Sequence, residues 1–323
     1  MGNRLEYVDI AKGIGIVLVV CCHTELSWLM DFLLGMIIPV FFFCAGYTSS
    51  VKGTFCDAMK KRIRKLFIPY VFFSTLLLLF FRHFSLRDIC GVFYSRYCLY
   101  PFGIEPNIKF FTSGNYPMWF LTAMVTAYFF YYILLYNEKR KDIFVLLYVV
   151  LIQLFLYCPI LLPWSIDTAF LSALFMYAGT RIRKIDIASF NVWHVLLMVF
   201  LYTGLRLVGG ELNLSVRMYG TSFIIYFCLG VIGSVILLWI SRLLEHTKLG
   251  NLFYLFGNHS LTIFCIQMIF IVIAKDVCEW LFDGITDNYL IGLFEIILAV
   301  AGGLVVSLIL HKNRYLSRLL CFN

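Results

Sequence analysis

Apolar runs about 20 residues long, the length of a helix that crosses a lipid bilayer, follow one another along the whole chain. They lie near residues 8–27, 33–50, 66–82, 117–136, 143–161, 164–180, 191–208, 219–241, 252–274 and 289–311. Charged residues make up 14% of the chain, against about 25% in soluble domains. Because lipid offers an open backbone no hydrogen-bond partners, each run predicts a helix. We therefore expect an all-α integral membrane protein of about ten transmembrane helices, with residues 1–323 forming one polytopic domain.

The basic residues predict the orientation of these helices. They cluster in alternate connections, at 60–65, 139–141 and 181–184, whereas the connections 28–32 and 158–165 contain no Lys or Arg. Short loops rich in Lys and Arg stay on the cytoplasmic side of a membrane. We therefore expect both termini to be cytoplasmic. The net charge of +8 reflects these loops, so we expect no nucleic acid as a partner.

Three ionisable residues line up in the first run. Asp9 precedes Lys12 by about one helical turn, and His23 follows Lys12 by about three turns. All three then fall on one helix face, with Lys12 and His23 about 16 Å apart along the axis. Ionisable groups are costly inside a membrane and mark polar sites. This row predicts one wall of a buried polar site, and Asp167 and Glu295 are further candidates on the same ground.

Other signatures narrow the chemistry. The chain has no Gly-x-Ser-x-Gly elbow and no Walker loop, which disfavours serine hydrolases and ATP-driven pumps. Its 11 cysteines include no pair at metal-ligand spacing, so we expect no metal site. Cys90 and Cys98 share the longest predicted connection, near 83–116, and the sequence leaves open whether they form a disulfide.

Four segments carry a pattern when they are taken in order. Residues 7–23 hold an aspartate, a Lys-Gly pair and a histidine that follows the lysine after ten intervening residues. Residues 39–47 read Pro-Val-Phe-Phe-Phe-Cys-Ala-Gly-Tyr, residues 61–70 run from Lys-Arg-Ile-Arg-Lys into Leu-Phe-Ile-Pro-Tyr, and residues 118–121 read Met-Trp-Phe-Leu. A weaker match lies at 256–261. The set resembles the acyltransferase family 3 membrane proteins, and among them the fucose-4-O-acetylase-like members.

The resemblance implies an O-acyltransferase, and within that class an O-acetyltransferase, surrounded by the lipid of a bacterial inner membrane. The expected donor is cytoplasmic acyl-CoA, as acetyl-CoA. The expected acceptor is a carbohydrate, through a sugar hydroxyl of a cell-surface polysaccharide or of its lipid-linked precursor. The resemblance makes His23 the general base, since a neutral imidazole is available near pH 7, with Lys12 and Asp9 as its catalytic neighbours.

The resemblance also implies residues that bind the acyl donor. Arg62 and Lys65 match an Arg-x-x-Arg pair in other family members. Lys61 and Arg64 belong to the same basic cluster. Because the donor carries several phosphates, we expect these four cations to bind it through charge-assisted hydrogen bonds.

For the acceptor we expect contacts from Glu25, Trp119, Tyr47 and Gln267. Glu25 lies just beyond the predicted base, and Trp119 and Tyr47 belong to the matched segments. Gln267 follows His259 by about two helical turns, so that both side chains are predicted to line one cavity.

The chain departs from the family pattern at three positions. Lys12 stands where arginine is frequent, and Ile38 and Gln267 stand where histidines are common. His311 lies near a predicted helix end, and we expect it to take no part in the chemistry.

Two other functions stay open, a secondary transporter or glycan exporter and a non-catalytic homologue. Direct transfer is the simplest mechanism, and a covalent acyl-cysteine in the first run is the alternative.

Overall fold

The structure, a computed structural model, describes residues 5–50, 53–82, 84–110, 116–281 and 288–320. Most of these residues lie in helices, which are α1 (Glu6–Cys21), α2 (Leu34–Ile37), α3 (Pro39–Tyr47), α4 (Phe55–Phe81), α5 (Leu86–Tyr94), α6 (Trp119–Tyr136), α7 (Lys141–Leu156), α8 (Ile166–Ile182), α9 (Val192–Gly209), α10 (Phe223–Leu244), α11 (Lys248–Asn258), α12 (Ser260–Leu281), α13 (Asn288–Lys312) and α14 (Arg314–Leu319). Strands β1 (Leu212–Asn213) and β2 (Met218–Tyr219) form a small antiparallel hairpin between α9 and α10.

Within the described residues, seven helical stretches are long and apolar enough to cross a membrane. They are Ser27–Tyr47, Phe55–Phe81, Trp119–Tyr136, Val192–Gly209, Phe223–Leu244, Ser260–Trp280 and Asn288–Lys312. Helices α1, α7 and α8 cover three further predicted runs but are only 16, 16 and 17 residues long. The helical membrane fold is thus confirmed, while the count of ten spans and the cytoplasmic position of the termini stay predictions.

Helix α4 begins well before residue 66, where the predicted span starts. The hydroxyl of Thr54 accepts a hydrogen bond from the backbone N–H of Asp57 at 3.2 Å, and the Asp57 carboxylate accepts one from the Thr54 N–H at 3.3 Å. This reciprocal cap satisfies two N–H groups of the first turn and fixes the start of the helix. Residues 60–65, which we predicted as a loop between spans, therefore lie on a helix.

Helix α1 crosses α11 at a very short distance, and two glycines make the crossing possible. A Cβ atom at Gly13 would lie 1.9 Å from the carbonyl oxygen of Phe253, and one at Gly257 would lie 1.8 Å from the carbonyl oxygen of Asp9. A residue without a Cβ atom is required at both positions, as in other close helix crossings in membranes. The crossing holds Asp9 and Lys12 close to the junction of α11 and α12.

Helix α1 ends at Cys21, two residues before His23. The backbone N–H of His23 donates to the carbonyl oxygen of Val20 at 2.9 Å, which tightens the chain beyond the helix end. His23 therefore lies beyond the end of α1 and not, as predicted, on the helix itself. The histidine lies on a turn, because the helix stops before reaching it.

Buried ion pairs fix the loops at the end of the bundle near His23. Asp167 at the start of α8 pairs with Arg96, and its Oδ2 lies 3.1 Å from Nη1 of Arg217 in the hairpin. Arg96 also donates to the carbonyl oxygens of Leu162 and Ser215. We call residues 212–219 the roof, since these bonds hold them across the end of the bundle. The predicted site candidate Asp167 thus has a structural role.

Candidate active site

Three cations from two helices line one cavity of about 370 Å³, which we call the basic cavity. They are Lys12 of α1 and Arg62 and Lys65 of α4, and α6 and α12 contribute further walls through Tyr128 and Thr262. Positive charges inside low-dielectric walls focus the field and attract anions. The basic cavity therefore suits a ligand with several negative charges.

Helical spacing divides the basic cluster of α4. Arg62 and Lys65 are one turn apart and line the basic cavity, as the Arg-x-x-Arg match predicts. Lys61 and Arg64, which are exposed as Lys65 also is, are not among the described residues that line the cavity. The structure thus brings together two of the four predicted donor-binding residues and leaves the other two outside the cavity.

Aromatic contacts from α6 hold the Arg62 side chain. Its Nε donates to the hydroxyl of Tyr132 at 3.0 Å, and its guanidinium carbon lies 4.3 Å from the ring centroid of Tyr128. A cation over an aromatic face is attracted by the negative charge of the ring centre. These contacts fix the guanidinium at the wall of the basic cavity.

A salt bridge orients the lysine of α1. Nζ of Lys12 lies 3.2 Å from Oδ1 of Asp9, whose residue surface is only 6% exposed. The two residues are one turn apart, so the helix itself brings them together. This pair is the part of the predicted polar row that the structure joins directly.

Two histidines also reach the basic cavity. The rings of His259 and His311 are 4.9 Å apart, and Nδ1 of His259 lies 2.9 Å from the hydroxyl of Ser307. Nδ1 of His311 lies 2.8 Å from the carbonyl oxygen of Ser307, and since a carbonyl only accepts, this nitrogen carries a proton. We predicted no role for His311. Its position in the last turn of α13 shows that a residue near a helix end can still face an internal cavity.

His23 lies in a second cavity of about 200 Å³, which we call the His23 cavity. Trp119 of α6, Asn213 and Ser215 of the roof and Tyr226 of α10 line it as well. None of its described lining residues is Lys, Arg, Asp or Glu. Sequence reasoning missed the roof residues, because strands of two residues leave no periodic signal.

A hydrogen bond to α1 fixes the protonation pattern of the His23 ring. Nδ1 lies 2.8 Å from the carbonyl oxygen of Val19. Because that oxygen can only accept, Nδ1 carries the proton, and Nε2 of the neutral ring carries the lone pair. This is the tautomer that a general base needs in order to take up a proton at Nε2.

Three phenylalanines pack together in the wall of the basic cavity. The ring centroid of Phe120 lies 5.7 Å from that of Phe41 and 5.3 Å from that of Phe264, and all three line the basic cavity. The preceding residue, Trp119, lines the His23 cavity, so the cavities lie end to end. We call these three phenylalanines the partition. The structure therefore divides the predicted polar row of the first run between two cavities.

Glu25 lies close to His23 in sequence but is not among the described residues that line the His23 cavity. Its carboxylate accepts from Nζ of Lys275 at 2.7 Å, and its backbone N–H donates to the buried carboxylate of Glu295 at 2.9 Å. These bonds tie the turn after α1 to α12 and α13. The bond from Glu25 satisfies Oε2 of Glu295, which we predicted as a site candidate, and Nζ of Lys275 lies 3.8 Å from its Oε1.

Tyr47 and Gln267 also lie apart from His23. The hydroxyl of Tyr47 is 2.8 Å from that of Tyr7, in a separate cavity near the start of α1. Gln267 is fully buried, and neither polar atom of its side chain has a hydrogen-bond partner in the described part of the chain. Of the four predicted acceptor contacts, only Trp119 lines the His23 cavity.

The described cysteines are free thiols. Cys90 is exposed and Cys98 is buried, and the structure does not join them, which answers the question that the sequence left open. Within the described residues, no group of three or more His, Cys, Asp and Glu side chains is placed to hold a metal ion.

A family model described as an acyltransferase domain matches residues 5–312, which include every residue named at the two cavities. No curated protein and no solved structure matches the chain. The extent of the family match confirms the relationship that the four sequence segments predict. The chain belongs to acyltransferase family 3, a family of integral membrane acyltransferases.

Proposed function

We propose that this protein transfers an acetyl group from cytoplasmic acetyl-CoA to a hydroxyl of a cell-surface polysaccharide or of its lipid-linked precursor, in a bacterial inner membrane. One observation carries the proposal. A cation-lined cavity and an uncharged cavity that contains a histidine follow one another along α1, and a cluster of three phenylalanines lines the first of them. Family membership supports acyl transfer as the reaction, and the two cavities suggest which substrate binds on which side.

The basic cavity fits the donor. The phosphates of coenzyme A are multiply charged, and Arg62 and Lys65 offer charge-assisted hydrogen bonds to them. A guanidinium already fixed by aromatic contacts loses little side-chain entropy when it binds an anion. Lys12 lies on α1, the helix that leads from this cavity toward the partition. The acyl end of the donor then points to Phe120.

His23 supplies the acid–base chemistry. Nε2 takes the proton of the acceptor hydroxyl while the hydroxyl oxygen forms its bond to the acyl carbon. The carbon–sulfur bond then breaks, and the imidazolium returns the proton to the departing sulfur. The ring ends the cycle neutral and needs no other proton source. General acid–base catalysis of this kind contributes about a hundredfold to ten-thousandfold in rate.

The partition has to open during transfer, because the acyl carbon and the acceptor hydroxyl must meet. Phe120 contacts Phe41 and Phe264 on one side and adjoins Trp119 on the other. Aromatic closure excludes water from a thioester while no acceptor is bound. We therefore propose that the Phe120 side chain keeps water away from the thioester and so prevents hydrolysis of the donor.

Two cavities on either side of a closed partition are also what a secondary transporter needs. A transporter moves its substrate without consuming the thioester, and a non-catalytic homologue binds the donor without turnover. Release of the free thiol of coenzyme A therefore separates these functions from acetyl transfer.

The test combines two measurements on wild type and His23→Gln. The first is mass spectrometry of surface glycans from cells with and without the gene. The second is release of free thiol from acetyl-CoA by the protein in lipid nanodiscs, with a glycan extract as acceptor. We expect His23→Gln to lower both by at least about a hundredfold, because glutamine keeps the size and polarity but cannot take up the proton.

His194→Gln is the matched control. His194 is exposed at the start of α9 and is not among the described residues that line either cavity. It should acetylate like the wild type. Unchanged acetylation in His23→Gln would remove the histidine from the mechanism. Glycans that carry equal acetyl content with and without the gene would contradict the proposed function as a whole.

A further inference from the structure

We propose that Asn213 and Tyr226 bind the acceptor in the His23 cavity and select a neutral sugar unit. This assignment rests on the proposed function, which supplies the reaction that follows binding. Both residues line this cavity together with His23. Neither belongs to the sequence segments that resemble the family. Each has a polar group that no residue in the described part of the chain satisfies.

The orientation of the Asn213 amide follows from its hydrogen bonds. Oδ1 accepts from the backbone N–H of Ser215 at 3.0 Å and from the Ser215 hydroxyl at 2.6 Å. Because a backbone N–H can only donate, the accepting atom must be the amide oxygen. The Nδ2 group donates to none of the described residues. Asn213 therefore keeps two N–H donors for a ligand in the His23 cavity.

The second group is the hydroxyl of Tyr226. This residue is 1% exposed and lines the His23 cavity, yet its hydroxyl has no hydrogen-bond partner among the residues that the structure describes. Its ring is stacked on that of Tyr219 at 5.9 Å and contacts Phe175 edge-on at 5.9 Å. Packing thus fixes the ring, and the hydroxyl is left available for a hydrogen bond to a ligand oxygen in the His23 cavity.

The walls of the cavity indicate the class of ligand. When the His23 ring is neutral, none of the described residues that line the cavity carries a formal charge. An anionic ligand would therefore lose its water there without gaining a counter-charge. Asn213 offers N–H donors, and Tyr226 offers a hydroxyl. Trp119 adds a large aromatic surface. Donors, acceptors and one apolar face together match a neutral sugar, which presents several hydroxyls and C–H faces.

The roof holds Asn213 in position before the ligand arrives. Arg96 bonds to the carbonyl oxygen of Ser215, and Asp167 pairs with Arg217 two residues further along the roof. A binding group held by buried ion pairs needs little reorganisation on binding. The same loops therefore close the cavity and place its specificity residue.

The experiment measures binding of p-nitrophenyl glycosides of neutral hexoses and 6-deoxyhexoses to the full-length protein in lipid nanodiscs, by calorimetric titration. Asn213→Asp keeps the oxygen that caps the roof and loses the N–H donors. Tyr226→Phe loses only the hydroxyl. For the glycoside that wild type binds best, we expect affinity to fall about tenfold in Asn213→Asp and about threefold to tenfold in Tyr226→Phe. Wild type should bind p-nitrophenyl glucuronide at least about tenfold more weakly than the glucoside.

Two control substitutions make the same chemical changes at positions that are not among the described residues of the His23 cavity. Asn191 caps α9 by accepting from the backbone N–H of His194 at 3.1 Å, and the Tyr148 hydroxyl donates to the carbonyl oxygen of Phe130 at 2.9 Å. Asn191→Asp and Tyr148→Phe should leave glycoside binding unchanged. Thermal unfolding of all four variants checks that the protein remains folded.

Unchanged affinity in both cavity variants, or no binding of any glycoside by wild type, would overturn the assignment. Stronger binding of the glucuronide than of the glucoside would overturn the choice of a neutral sugar. Sugar binding that depends on Asn213 and Tyr226 without any acetyl transfer would refute the proposed function and support the assignment. If the wild type transfers acetyl groups but both variants keep its affinity for the glycoside, the proposed function is supported and the assignment of Asn213 and Tyr226 is refuted.

Discussion

The basic cavity and the His23 cavity share helices α1 and α6, yet their walls are chemically opposite. Lys12, Arg62 and Lys65 line the first, whereas the described walls of the second carry no Lys, Arg, Asp or Glu. Phe120 belongs to the cluster of phenylalanines that lines the first cavity, and the residue before it, Trp119, lines the second. The difference teaches that polar residues close together in sequence, on one membrane helix and on the turn after it, can serve two sites with different ligand chemistry.

The two cavities are also built differently. The basic cavity is enclosed by the faces of long helices, whose spacing selects Arg62 and Lys65. The His23 cavity is closed by short loops that a buried acid and two arginines hold in place. Helix faces follow from local sequence, whereas a loop roof depends on contacts between distant segments. The predictions below test whether the two cavities are as independent as this comparison indicates.

The largest effect should come from Asp167→Asn. Removing the carboxylate leaves Arg96 and Arg217 buried without their counter-charge, which costs about 3–5 kcal/mol of the free energy of unfolding. The roof should loosen, so that glycoside binding is lost while binding of acetyl-CoA to the folded protein is kept. Thermal unfolding and separate titrations of the two ligands measure this.

Asp31→Asn is the matched control for that change. Asp31 pairs with Arg206 at 2.9 Å, but its side chain is 71% exposed, so we expect an effect of about 1 kcal/mol or less. Equal destabilisation by both substitutions would contradict the structural role of the buried pairs.

Arg62→Ala should weaken acetyl-CoA binding by about tenfold to a hundredfold, because it removes a fixed guanidinium from the basic cavity. Arg64→Ala removes the same charge from the exposed side of α4 and should change affinity by less than about twofold. Titration with acetyl-CoA at two salt concentrations measures both. Equal losses in the two variants would mean that net charge, and not the cavity, binds the donor.

Phe120→Ala should open the partition. Hydrolysis of acetyl-CoA without any acceptor should rise by about threefold or more, since water then reaches the thioester. Phe129 lies on the same helix with 42% of its surface exposed, and Phe129→Ala should hydrolyse the donor no faster than wild type. Free thiol release in the absence of glycan is the measurement. An unchanged rate in Phe120→Ala would show that the barrier lies elsewhere.

The smallest effect should come from Gln267→Leu. A buried amide with no partner among the described residues costs free energy, so leucine should raise the free energy of unfolding by about 1 kcal/mol. Gln153→Leu, on the exposed face of α7, should change stability little. A loss of transfer in Gln267→Leu would instead support the acceptor contact that the family resemblance implies.

Much of the fold and part of the site could be predicted. Apolar runs located the helices, and the matched segments selected Arg62 and Lys65, which do share a cavity. The prediction that His23 belongs to the same helix as Lys12 was wrong, because α1 ends at Cys21. The turn that follows α1 is bonded to α12 and α13 through Glu25, and such contacts between distant segments have no local signal in the sequence.

By itself the sequence determined that this chain forms membrane helices, which residues are too polar for lipid, and which family it belongs to. These properties follow from local composition and order, because the transfer of a segment into lipid depends on that segment alone. Only the tertiary structure decided that Lys12 and His23 lie in separate cavities and that Asn213 and Tyr226 join the histidine. These arrangements depend on the packing of segments that are far apart in the chain. The partition and the roof form only where such segments come together.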